Sequence, residues 1–181
     1  MQIGNQKYPF GDIFDDLTKK IIIIDYEHHE IHEGNNYFHV DYISIPATTK
    51  QYVILKTGDK KLHFVFSISS DLAGFHFKTY EKVTSNEDGT LKANILNNNR
   101  NSTNITTATL RYNPTGVSLV GATLLRDNIL GSGGNPSSRI GGSANRSNEI
   151  IMKPNTKYAL EIENLSSNTN IFNIGMSWYE I

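Results

Sequence analysis

The chain predicts an all-β fold, an antiparallel β-sandwich of jelly-roll type with an irregular N-terminal arm, and three observations predict it. From Tyr37 onward the apolar residues recur with a period of two, as they do on a pleated strand with one buried face. Gly, Pro and Asn-Asp clusters stand between these segments, and no long stretch repeats with helical spacing. Many short strands without a long helix fit two facing antiparallel sheets, and eight strands in two sheets form the jelly roll.

The clearest alternation is Leu62-His63-Phe64-Val65-Phe66-Ser67-Ile68-Ser69, which places Leu62, Phe64, Phe66 and Ile68 on one face. Phe75-His76-Phe77-Lys78-Thr79-Tyr80 alternates again after Ser70-Asp71-Leu72-Ala73-Gly74, so the two segments read as a hairpin with an aromatic core face. Further strands are expected at 37–45, 50–56, 105–113, 117–125, 149–152, 156–163 and 171–180, where β-branched and aromatic residues concentrate. Pro46, Gly58-Asp59, Asn86-Glu87-Asp88-Gly89, Asn113-Pro114-Thr115-Gly116 and Pro154-Asn155 supply the turns. Residues 26–181 form the expected sandwich domain, and residues 1–25 the arm.

Two stretches break the strand rhythm. Residues 1–20 mix Pro9 and Gly11 with Tyr8, Phe10, Ile13, Phe14 and Leu17, apolar side chains without a sheet of their own. Residues 131–148 hold five glycines and little apolar surface. A loop of that composition is either mobile or ordered by a partner.

A length of 181 residues suits one domain, and a compact fold of this size buries roughly 70% of its extended-chain surface. The absence of cysteine removes disulfides, thiolate metal sites and cysteine nucleophiles, and is compatible with folding in a reducing cytoplasm. A formal net charge of -1 disfavours a nucleic-acid groove, which needs a concentrated positive field; Lys19-Lys20 and Lys60-Lys61 are isolated pairs. The aliphatic run Ile21-Ile22-Ile23-Ile24 is too short for a signal core or a membrane span, so no membrane partner is expected.

Residues 94–106 carry an asparagine-arginine run between expected strands. Asparagine amides donate and accept, tolerate left-handed backbone and serve neither as general base nor as nucleophile. The run suits bonding rather than catalysis, either by closing the open backbone groups of its own turn or by meeting another chain. Asn98, Asn99 and Arg100 are the candidate contact residues there, with Arg146 in the second loop and Tyr8, Phe10, Ile13, Phe14 and Leu17 in the arm. An arginine fork in such a loop binds a neighbour's carboxylates or carbonyls, or else braces the loop itself.

Glu27-His28-His29-Glu30-Ile31-His32-Glu33 contains metal-ligand types. The zincin pattern requires glutamate directly after the first of two histidines four apart, whereas His28 and His32 enclose Glu30 at the second position. Read as a strand, the segment puts His28, Glu30 and His32 on one face. Structural hydrogen bonding is the expectation, with no metal, cofactor or catalytic residue assigned. The nucleophile elbow, the phosphate loop and the dinucleotide fingerprint are all absent from the sequence.

With Glu27 to Gly34, the asparagine run and Ser177-Trp178-Tyr179-Glu180, the chain resembles the auxiliary or head-decoration capsid proteins of tailed phages, including the crAss-like phages. The resemblance extends over residues 26–181 and includes Pro154-Asn155-Thr156-Lys157-Tyr158 and the Gly141-to-Arg146 loop. It implies a non-enzymatic virion component, made in the host bacterial cytoplasm and bound at the capsid surface. Its partners would be the major capsid protein and neighbouring virion subunits, with a homo-oligomer compatible. The alternative is a virion module that attaches to host carbohydrate, which would present aromatics such as Trp178 and Tyr179 on an open face. A hydrolase on a sandwich fold is the third reading.

Overall fold

The computed structural model describes residues 26–72, 74–131, 140–142 and 149–181. The arm residues Tyr8, Phe10, Ile13, Phe14 and Leu17, and Arg146 of the glycine-rich loop, lie outside them. One helix, α1 (Tyr26–Glu33), precedes β1 (Asn36–Ile45), β2 (Lys50–Lys56), β3 (Leu62–Ser70) and β4 (Phe75–Glu81). Short strands β5 (Thr90–Leu91), β6 (Leu96–Asn97) and β7 (Thr109–Tyr112) follow, then β8 (Thr123–Leu130), β9 (Ile140–Gly142), β10 (Ile150–Met152), β11 (Lys157–Asn164) and β12 (Asn170–Glu180).

Sheet 1 runs β10-β3-β12-β1-β6, with β9 also on β3, and sheet 2 runs β5-β7-β2-β11-β4-β8, all pairs antiparallel. Without the short β5–β7 insertion, the orders β10-β3-β12-β1 and β2-β11-β4-β8 are those of a jelly roll. β9 and β10 meet opposite ends of β3, at Ile68–Ser70 and Leu62–Phe64, as two pieces of one interrupted strand. The insertion between β4 and β8 widens both sheets on one side, β6 beside β1 and β7 beside β2.

The core lies between the sheets. Leu62, Phe64, Phe66 and Ile68 of β3 are buried against Phe75 and Phe77 of β4, Tyr158, Leu160 and Ile162 of β11, and Phe172, Ile174, Met176 and Trp178 of β12. The alternation thus marks the inward face as the sequence predicts. Val65, on the opposite face of β3, is buried as well.

Three expectations are corrected. β3 and β4 do not form a hairpin: they belong to different sheets, and the chain between them crosses the sandwich. Alternation fixes which face is buried but not which strand is the neighbour, and β3 pairs instead with β12, β9 and β10. The segment 27–33, whose shared faces were set out only for a strand, is α1, because Gly34 with φ of 74° ends a helix there. Its N–H donates to the Ile31 carbonyl (3.1 Å) and that of Asn35 to the Glu30 carbonyl (2.9 Å), the paired closure of a glycine-terminated helix. Finally, the strands expected at 105–113 and 117–125 shrink to Thr109–Tyr112 and move to Thr123–Leu130, since residues 113–122 form the turn over sheet 2.

Candidate interaction surface

The asparagine run closes the C-terminal end of α1. A helix leaves its last carbonyls without partners in its own backbone. Here Asn99 Nδ2 donates to the His32 carbonyl (3.0 Å), Asn104 Nδ2 to those of Glu33 (3.2 Å) and Gly34 (3.3 Å), and Asn97 Nδ2 to Gly34 (2.7 Å). The Asn97 and Asn99 side-chain oxygens accept from Asn99 N (2.8 Å) and Asn101 N (3.1 Å), which winds the loop on itself. Asn98 joins the same seam, donating through Nδ2 to Asn36 Oδ1 and through its backbone N–H to the Asn36 carbonyl (2.9 Å). Gly34 is required twice, since a Cβ there would also stand 2.2 Å from Ser102 Oγ. Arg100 is exposed at the tip and makes no hydrogen bond or ion pair among the described residues.

The far end of the run is bound to β12. The buried Glu180 carboxylate accepts from the Thr106 hydroxyl, the Thr107 backbone N–H (3.0 Å), the Thr107 hydroxyl (3.0 Å) and Trp178 Nε1 (3.3 Å). Trp178 is fully buried, so it serves the core as expected and offers no exposed platform for a sugar.

A second polar cluster seals the side of the sandwich where β1 faces β7. His39 is fully buried, with Nδ1 3.4 Å from the Asn94 carbonyl and Nε2 3.1 Å from Tyr112 Oη. A carbonyl only accepts, so Nδ1 carries the proton and Nε2 accepts from the phenol. Burial holds the His39 pKa below its ordinary value and raises that of Tyr112, so both stay neutral near pH 7. Lys92 Nζ sits 4.3 Å above the Tyr112 ring and 2.6 Å from Asp41. Burial pushes the Asp41 carboxyl upward, but the bonds from Lys92 and from the Tyr42 N–H outweigh it and hold the pKa below the usual range.

The outer face of sheet 2 is laced with ion pairs, whereas on sheet 1 the His63–Glu149 pair lies at the β3–β10 edge and leaves the centre of the face uncharged among the described residues. On sheet 2, Lys50, Tyr52 and Lys78 surround Glu161, with Lys50 Nζ 2.9 Å and Tyr52 Oη 2.6 Å from its carboxylate. His76 meets Asp127, and Lys157, Lys56 and Arg111 converge on Glu87. On sheet 1 the register aligns Phe38 with Ser177, Val40 with Gly175 and Ser67, Tyr42 with Asn173 and Ser69, and Ser44 with Ile171. None of these positions carries an acidic or basic residue. Val40 and Tyr42 are 65% and 66% exposed, and Ile171 is exposed beside them. Gly175 leaves a shallow depression between Val40, Ser67, Ser69 and Asn173.

Of the residues singled out from the sequence, Asn98 and Asn99 lie together on the seam against α1 and Arg100 beside them. His39, Tyr112, Glu180 and the uncharged face were not legible as sites. The face follows only from the strand register, and His39 was hidden because over 38–42 the apolar residues Phe38, Val40 and Tyr42 alternate on the exposed face while His39 and Asp41 lie on the other.

No family model matches the chain, and no curated protein matches it. The structure is similar, at low scores, to solved structures of infectious bursal disease virus. For the Gt strain the identity is 13%, covering 80% of this chain and 40% of that one, with a TM-score of 0.18. For the VP2 subviral particle the identity is 12%, covering 80% and 42%, with a TM-score of 0.15. The chain thus spans less than half the length of the chains it matches.

Proposed function

We propose that the chain is a non-enzymatic auxiliary, or decoration, protein that binds the capsid of a tailed bacteriophage and braces it. The resemblance of residues 26–181 to that group supports the reading, and the observation that carries it is the uncharged patch around Val40, Tyr42 and Ile171 on the outer face of sheet 1. A patch that presents Val40, Tyr42 and Ile171, with no charged residue at the neighbouring register positions Ser67, Ser69, Asn173, Gly175 and Ser177, resembles the centre of a protein interface, where charge is depleted. The opposite outer face, laced with ion pairs, is made for water. The occupant of the uncharged face is the capsid shell, and repetition of the protein over a lattice turns individually weak contacts into firm attachment. Arg100 at the loop tip adds a guanidinium fork for shell carboxylates or carbonyls.

Electron microscopy of purified particles, with the protein located by labelling, tests the reading. Density on the head surface is expected, and a tail position or absence from the particle overturns it. The face is tested by Val40→Lys with Tyr42→Lys, which should leave the melting temperature within about 1 °C, since exposed substitutions change stability little, and abolish co-sedimentation with capsids. Full binding by this variant would remove sheet 1 from the interface.

A further inference from the structure

We propose that His28 and His32 of α1 form a chelating pair for a late first-row divalent metal, Zn(II) or its neighbours Ni(II) and Cu(II). As a strand, the segment would hold the two rings on one face but too far apart to share an ion. As a helix, it places them one turn apart, and their Nε2 atoms lie 3.0 Å from each other. The ring centroids are 4.7 Å apart and the planes cross at 70°. Two imidazole nitrogens at metal-ligand distances of about 2.0–2.1 Å, subtending about 90–110° at the ion, stand roughly 2.9–3.4 Å apart. The observed separation falls within the bite of a cis chelate, so a small rotation of the two exposed rings about their side-chain bonds turns both Nε2 lone pairs onto one ion.

The backbone under the pair is fixed. Asn99 holds the His32 carbonyl at 3.0 Å, Asn104 holds that of Glu33, and the glycine closure at Gly34 ends the helix one residue later. Both rings are at the surface, with open coordination positions for water or for side chains of a neighbouring copy. The chemistry is ligation rather than hydrolysis. The position where a zincin carries its general base holds His29, and the Glu30 carboxylate beside it is buried and accepts from Asn35 Nδ2 (3.0 Å).

Isothermal titration of the full chain with zinc, nickel and copper chlorides at neutral pH tests the site. Saturable binding of one ion per chain, or one per two chains when a second pair completes the shell, is expected, with copper bound tightest. His28→Ala and His32→Ala should each weaken binding by about tenfold or more. His29→Ala, whose ring stacks on Tyr26 instead, should leave it unchanged. All three are conservative for an exposed helix, because alanine is its best former. Undiminished binding by the double variant, or no saturable binding by the parent chain, overturns the proposal.

Discussion

Phe66 and Phe77 lie ring on ring across the sandwich, with centroids 4.7 Å apart and planes 11° from parallel, one carried by each sheet. The contact is what the sequence presents as a hairpin. Both strands alternate, and both bury their aromatic face, but they do so against one another through the core rather than side by side.

The core should therefore respond to truncation from either sheet. Phe64→Ala is expected to destabilise by roughly 3–5 kcal/mol, the usual loss on emptying a packed aromatic site. In a double-mutant cycle, Phe66→Ala and Phe77→Ala should couple by about 0.5–1.5 kcal/mol, as stacked rings do. Denaturant melts read both quantities, and additive losses would place the two rings out of contact.

The legibility of the fold follows a physical divide. The inward set Leu62, Phe64, Phe66 and Ile68 was readable because burial of one face imprints a period of two on the sequence. Strand partners were not, since β3 would show the same alternation beside β4 or beside β12. The helix carried a signal in Gly34 after Glu33, a glycine in the position that ends helices, with Asp25, a capping residue type, just before Tyr26. Its short length and three histidines hid it. The asparagine run was legible as a bonding segment, but its target was not, because the carbonyls of His32 and Glu33 become open acceptors only once α1 exists.

Glu180 fastens the end of that run to β12, and its removal should be felt strongly. Glu180→Ala removes the acceptor of the part-buried Thr107 N–H and of the buried Trp178 Nε1. The expected loss is about 2–4 kcal/mol, because buried donors stripped of a charged acceptor carry their full desolvation penalty. Glu180→Gln, which keeps an acceptor oxygen, should lose about half as much. Equal stability of all three proteins in urea would show that the carboxylate is dispensable.

His39 predicts a dependence on pH. Its folded pKa lies below the ordinary 6.5, chiefly through burial, so on acidification the unfolded chain takes up the proton first. The stabilisation is complete above pH 6.5 and is lost as the pH falls from there towards the folded pKa. Protonation also removes the Nε2 acceptor that Tyr112 uses. The urea midpoint should decline between pH 7.5 and 5, and less steeply in His39→Gln. Parallel declines in the two proteins would assign the effect to other groups.

The arm gives the last prediction. Tyr8, Phe10, Ile13, Phe14 and Leu17 precede α1 in sequence, and Pro9 and Gly11 suit an extended segment. Tyr26, the first residue of α1, packs its ring 5.7 Å from that of Tyr179, which the register places on the outer side of sheet 1 beside His63, so α1 begins next to the outer face of that sheet. An arm starting there extends whatever surface that face contributes. Burying three or four of its apolar side chains on the shell or on a sister subunit is worth on the order of 5 kcal/mol before ordering costs are subtracted. Deleting residues 1–20 should leave a protein that melts cooperatively at an unchanged temperature but fails to co-sediment with capsids. A clear fall in its own melting temperature would instead mean that the arm folds back on its own sandwich. Full capsid binding by the truncated protein would remove the arm from the interface, leaving Val40, Tyr42 and Arg100 to account for attachment.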